Sequence, residues 1–289
     1  MTHALVLGGG GTVGMAYHAG VLRALREASG AEPGLADLII GTSAGSLMAA
    51  ALRSGHSADT LWQVSLGEHP TLQFSGADRS PWDARWRTPL DVVRRAVGSA
   101  YVVQRMIVRL PAPTVPERLQ KFFPAGFHTI PDGDDEAISD FLDAGWPSAP
   151  TWLVTVDVRT GRRVVLGRRV PPRTDLRTAV RASCAIPAFF QPVRVGNHML
   201  FVGGVHSTSN LDLATKVSPD VIIGVVPMAF DTGVVPFGLD GVLRGFAHRR
   251  LMPEVEQARR RGSRGLLARP NRHDRAAMGP HLMRRDGNE

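Results

Sequence analysis

The first 55 residues state one pattern twice: a short apolar strand, a glycine-rich turn, then a helix. Residues 4–7, Ala-Leu-Val-Leu, run into Gly8-Gly9-Gly10-Gly11, and over residues 14–29 Met15, Ala19, Leu22 and Leu25 recur at helical spacing. Residues 35–40, apolar apart from Asp37, run into Gly41-Thr42-Ser43-Ala44-Gly45 and an alanine-rich helix over residues 43–54. A strand that must cross over before pairing in parallel with the next is the unit of an α/β fold. The repeat confines the chain to that class. Both glycine turns then open at the C-terminal ends of neighbouring strands, the edge where α/β sites form.

The pattern is interrupted from residue 56 to residue 150 by ten prolines and four of the five tryptophans, Trp62, Trp82, Trp86 and Trp146. Helical pieces are expected at residues 58–65, 90–109 and 136–142, so this stretch reads as a helical cap inserted into one domain of residues 1–289. The sheet resumes at Thr151. Residues 151–158 and 163–166 flank Arg159-Thr160-Gly161-Arg162, a hairpin signal. A helix is expected over residues 175–183, strands over 198–202 and 220–226, a helix over 239–261 interrupted at Pro253, and a last strand over 265–269.

Composition removes several classes. A single cysteine, Cys184, excludes an internal disulfide, and no apolar run is long enough to span a bilayer. Met1-Thr2-His3 leads straight into a strand without a basic leader, so a cytoplasmic location is expected, with peripheral membrane contact as an additional expectation. The net charge of +8 is uneven, because residues 244–289 hold 12 of the 34 basic residues and only 5 of the 26 acids. Most of those arginines fall on the closing helix and strand rather than on a free arm, and nucleic acid is not an expected partner.

Gly9-x-Gly11-x-x-Gly14 follows a strand and opens a helix, which suits an anion. A dinucleotide would also need an acid at the end of the second strand, and that strand ends in Gly41-Thr42-Ser43-Ala44-Gly45 instead. Gly-x-Ser-x-Gly on a sharp strand-to-helix turn lifts a serine out of the sheet. A serine that attacks a carbonyl needs nearby N–H donors for the oxyanion, and the first glycine turn is placed to supply them. The two signals together point to acyl transfer.

These blocks, with Ala182-Ser183-Cys184-Ala185-Ile186-Pro187 and Val202-Gly203-Gly204-Val205-His206-Ser207-Thr208-Ser209-Asn210, resemble the patatin-like phospholipases. The resemblance implies a modified α/β-hydrolase fold with a mostly parallel sheet flanked by helices. It implies hydrolysis of lipid acyl esters without cofactor or metal. It makes Ser43 the nucleophile and Gly9, Gly10 and Gly11 the oxyanion hole, with Gly14, Gly41, Gly45, Gly203 and Gly204 as motif glycines. The family's third signature begins with Asp, the partner base of a Ser–Asp dyad, and Val202 stands in that place. Val13 likewise stands where the family often carries Arg. His206 is a candidate substitute base. Asp157 is expected on the hairpin, Asp212 as a helix cap, and Cys184 as an inert thiol. The acidic run 132–136 reads as a solvated helix start. The alternative to an active hydrolase is a catalytically silent lipid-binding or regulatory protein.

Overall fold

The computed structural model describes residues 1–72, 88–104, 124–128, 130, 141–143, 145–168, 173–230 and 238–278. Its strands are β1 (His3–Leu7), β2 (Leu38–Gly41), β3 (Thr151–Asp157), β4 (Arg163–Leu166), β5 (Val193–Val195), β6 (His198–Val202), β7 (Val221–Val225) and β8 (Arg264–Ala268). Its helices are α1 (Gly11–Ser29), α2 (Ala44–Arg53), α3 (Ala58–Leu66), α4 (Pro89–Val103), α5 (Leu176–Cys184), α6 (Gly238–Arg260) and α7 (Arg272–Met278).

One sheet holds all eight strands, in the order β5-β6-β3-β2-β1-β7-β8 with β4 also paired to β3. The run β3-β2-β1-β7-β8 is parallel, whereas β4, β5 and β6 add on antiparallel. Alternation along the strands sorts the two faces. Leu5, Leu7, Ile39, Leu153 and Leu200 pack in a core cluster with residues of α1, α2, α3 and α5. Ala4, Val6, Leu38, Ile40 and Val154 pack with α6 and the short 3-10 helix Leu211–Lys216. Small residues let α2 lie close beneath its neighbours, and Ala49, Ala50 and Ala51 are fully buried.

The edges of β3 place the site. β4 pairs with Leu153–Val156, overlapping the partners of both β2 and β6. A strand has two edges, so β2 and β6 share the other one, end to end. Gly41 lies opposite Leu153 and Val202 opposite Thr155. The two strand ends therefore point at each other, separated by two residues of β3, or about 7 Å.

Several expected boundaries change. The second strand begins at Leu38, because Pro33–Leu35 forms a 3-10 turn that leaves Leu35 exposed. α1 begins at Gly11 rather than residue 14. α6 runs through Pro253 without a break; the proline is on the exposed face, where water can serve the carbonyl it leaves unpaired. α3, expected at the start of the cap, packs into the main core through Leu61 and Val64. α4 ends at Val103. The rest of the expected 90–109 helix beyond residue 104 lies outside the described residues, as do positions 136–140, Trp82, Trp86 and the acidic run 132–136. Trp146 and Trp62 are half-buried against the core. No helix among the described residues is long and apolar enough to cross a membrane.

Candidate active site

Ser43 sits between β2 and α2 at φ 53° and ψ −122°. This region is nearly reserved for glycine and costs a side-chain-bearing residue about 1–3 kcal/mol. The turn is held from both sides. Thr42 N–H donates to the Leu7 carbonyl at 3.0 Å, and Ser43 N–H donates to Ser183 Oγ at 3.0 Å. The Ser183 hydroxyl in turn donates to the Val154 carbonyl at 2.8 Å. Ser183 is carried there by α5, whose N-terminus is capped by Asp175 accepting from Thr178 N–H at 2.7 Å; such a cap contributes about 1 kcal/mol.

The glycines of the elbow are there for space. A Cβ at Gly41 would lie 2.5 Å from Ser46 Cα, and one at Gly45 would lie 2.0 Å from the Leu7 carbonyl oxygen. Gly10 and Gly14 face Pro227, and Gly203 packs on Val154.

The first glycine turn lies against the elbow, since a Cβ built on Gly9 would sit 3.6 Å from Ser43 Cβ. One expectation is corrected here. The Gly9 N–H is not an oxyanion donor, because it donates to the Thr208 carbonyl at 2.8 Å. Gly10 and Gly11 lie at the start of α1, where N–H groups have no carbonyl within the helix to take them. Gly11 is at φ 64°, which a side chain would disfavour.

His18, unmarked by any motif above, fixes the same turn from below. It is fully buried on α1, and its Nε2 lies 2.7 Å from the Gly8 carbonyl. With Nε2–H donating, the Gly8–Gly9 peptide is clamped at both ends, by His18 and by Thr208. A polar residue on the apolar Met15–Ala19–Leu22 face was the available signal. Burial, outweighing the Gly8 bond, pushes the His18 pKa down from 6.5 to about 4. A depressed histidine stabilises the fold fully above its unfolded value. As the pH falls from about 6.5 to about 4 the stability should drop by about 3 kcal/mol, then level off. Urea unfolding across that range checks this, with the drop absent in His18→Gln.

Val202 ends β6, is 7% exposed, and its N–H donates to the Ala185 carbonyl at 2.8 Å. Two links tie it to the elbow. Asn210, fully buried, donates from Nδ2 to Thr42 Oγ1 at 3.1 Å and lies 3.4 Å from the Gly203 carbonyl. Cys184, the neighbour of Ala185, has its Sγ 3.9 Å from Ser46 Oγ, and the Ser46 hydroxyl donates to the Ser43 carbonyl at 2.6 Å. Burial pushes that thiol up to about 11, so it stays neutral and unreactive at neutral pH.

Asp157 and Asp212 are committed elsewhere. Asp157 Oδ2 lies 2.5 Å from His198 Nδ1, and its Oδ1 accepts the N–H groups of Arg159 and Thr160 in the hairpin. Burial opposes its charge, but the His198 bond and those N–H groups outweigh burial and hold the carboxyl below its usual value. Asp212 does not cap a helix; it pairs with Arg163 at 2.5 Å. Arg163 also donates to Asn210 Oδ1 at 3.0 Å. His206 ends the 3-10 turn Gly203–Val205, with its N–H on the Gly203 carbonyl. Val13 lies half-buried in the first turn of α1.

Comparison with known proteins follows the same lines. VipD from Legionella pneumophila is similar at 17% identity, with 70% of this chain and 46% of that one covered and a TM-score of 0.40. The type III effector ExoU is similar at 18% identity over 90% of this chain and 53% of that one, with a TM-score of 0.35. ExoU in its complex with SpcU, from the type III secretion system of Pseudomonas aeruginosa, gives 20% identity, 90% and 52% coverage and a TM-score of 0.34. This chain spans about half the length of those structures. No curated protein matches. Residues 5–215 match the family model described as patatin-like phospholipase, which takes in every motif above from the glycine turn to Asn210. The chain belongs to the patatin-like phospholipase family.

Proposed function

We propose that the chain hydrolyses acyl esters of lipids through Ser43, slowly, because Val202 stands where a proton acceptor is needed. Ser43 Oγ attacks the ester carbonyl and the N–H groups of Gly10 and Gly11 receive the oxyanion; the ester C–O bond then breaks, the alcohol leaves with the serine proton, and water hydrolyses the acyl-serine to release the fatty acid and restore the hydroxyl. The observation that carries this reading is Ser43 itself, held at φ 53° against a glycine turn. Strained backbone of that kind clusters at active sites, where it is part of the mechanism. Valine cannot accept the serine proton, and loss of a general base costs about 10²–10⁴ in rate. Oxyanion stabilisation and substrate binding survive that loss and supply the remaining rate.

The test is Ser43→Gly in an assay of ester turnover with short-chain and phospholipid substrates. The variant should abolish turnover while gaining about 1 kcal/mol of stability from relief of the backbone strain. Turnover that persists in the variant overturns the role of Ser43.

Val202 also favours a second reading, a patatin fold that binds lipid without cleaving it. Lipid binding with no turnover, in this chain and in Ser43→Gly alike, decides for that reading. His206 is the alternative base: if turnover by this chain is lost in His206→Ala, the proton goes there.

A further inference from the structure

The loop that holds the glycine turn is itself held from α6, beyond the residues that match the family. Glu254 is 8% exposed and lies on α6 between Leu251 and Ala258, both packed against the sheet. Its Oε2 accepts the Ser209 hydroxyl at 2.6 Å and the Leu211 N–H at 2.9 Å. Ser209 Oγ lies 3.1 Å from Ser207 Oγ, which accepts the Asn210 N–H at 3.1 Å. Residues 207–211 are thereby pinned to one buried oxygen.

Two members of that segment reach the site. The Thr208 carbonyl takes the Gly9 N–H, and Asn210 Nδ2 donates to Thr42 Oγ1 beside the serine. The same helix makes a second attachment, since Arg244 donates to the Pro227 carbonyl at 2.9 Å and Pro227 packs on Gly10.

We propose that Glu254 is a positioning residue for the Ser43 site: it fixes residues 207–211, and through Thr208 and Asn210 it fixes the glycine turn and the elbow relative to each other. The inference rests on reading Ser43 and the glycine turn as the site. Both bonds to Glu254 are ones in which its oxygen accepts, so a carboxamide oxygen should serve as well. Burial raises its pKa, which suits a group valued as an acceptor rather than as a charge.

The experiment is amide hydrogen exchange on the full chain, resolved by residue, with Glu254→Ala and Glu254→Gln. In Glu254→Ala the Gly9 N–H should exchange about tenfold faster or more, the factor expected from one lost buried acceptor. Leu5 and Leu7 of β1 should keep their protection. In Glu254→Gln the Gly9 rate should return to within about twofold of the original. Unchanged Gly9 exchange in Glu254→Ala overturns the proposal. So does equal acceleration at Gly9 and Leu5, which marks general loosening of the fold. If Glu254→Ala fails to fold, Ser209→Ala removes one of the two bonds at little cost in volume. It should speed Gly9 exchange, and no change there overturns the proposal.

A second readout is the fluorophosphonate labelling rate of Ser43 in a Val202→Asp background, which should fall with Glu254→Ala and recover with Glu254→Gln. Absence of labelling in Val202→Asp itself counts against the reading of Ser43, and the exchange result still decides the role of Glu254.

Discussion

Restoring a carboxylate with Val202→Asp should raise the ester-cleavage rate by about 10²–10⁴, the usual contribution of a positioned base. The reason lies in the strand arrangement. β2 and β6 meet end to end along β3, with Gly41 opposite Leu153 and Val202 opposite Thr155. Position 202 thus sits at the end of β6 that faces the end of β2, the strand that leads into Ser43. The gain should come with a loss. Val202 is buried at 7% exposure, and an aspartate there gives up apolar packing and most of its hydration. A cost of about 1–3 kcal/mol in stability is expected, offset in part if the new carboxylate accepts the Ser43 hydroxyl. Steady-state kinetics and urea unfolding on the same two proteins check both halves. A faster enzyme that is also less stable fits the account, whereas an unchanged rate removes position 202 from the chemistry.

Gly45→Ala should do the most damage of any single methyl group at the elbow. The added Cβ would lie 2.0 Å from the Leu7 carbonyl oxygen, 2.4 Å from its carbon and 2.7 Å from the Gly8 oxygen. All three are backbone atoms of a central strand and its turn, so no side chain can swing away. The start of α2 must part from β1, taking Ser43 away from the glycine turn. Overpacking of this kind should cost about 3 kcal/mol or more, with loss of Ser43 reactivity. Gly30→Ala is the control. Unlike Gly45 it is at positive φ, 69°, and nothing lies within 4 Å of the new methyl. It should cost only about 1 kcal/mol and leave reactivity intact. Denaturant midpoints for the two variants separate crowding from conformational strain.

Much of this was legible in the sequence, for local reasons. β1, the elbow, the β3–β4 hairpin and β6 announce themselves through apolar runs that stop at glycines. The start of β2 is hidden in the sequence because Leu35 belongs to an apolar run, while Pro33-Gly34 beside it imposes a turn. The errors at the site are of another kind. Gly9 looks the same in sequence as Gly10 and Gly11, and only the arrival of Thr208, about 200 residues later, takes its N–H. Asp212 starts a helical turn, yet its partner Arg163 comes from β4, about 50 residues earlier. His18 was readable in principle, as a polar residue on an apolar face. Glu254 was not, because it follows a proline in a charged, arginine-rich stretch and becomes buried only when α6 docks on the sheet.

The central claim is that Ser43 is a nucleophile whose base is missing. The direct measurement is fluorophosphonate labelling of this chain and of Val202→Asp, with the modified residue mapped by mass spectrometry. The account predicts an adduct on Ser43, formed slowly in this chain and about 10²–10⁴ times faster in the variant. An adduct on another residue, or no adduct on Ser43 in either protein, would contradict it.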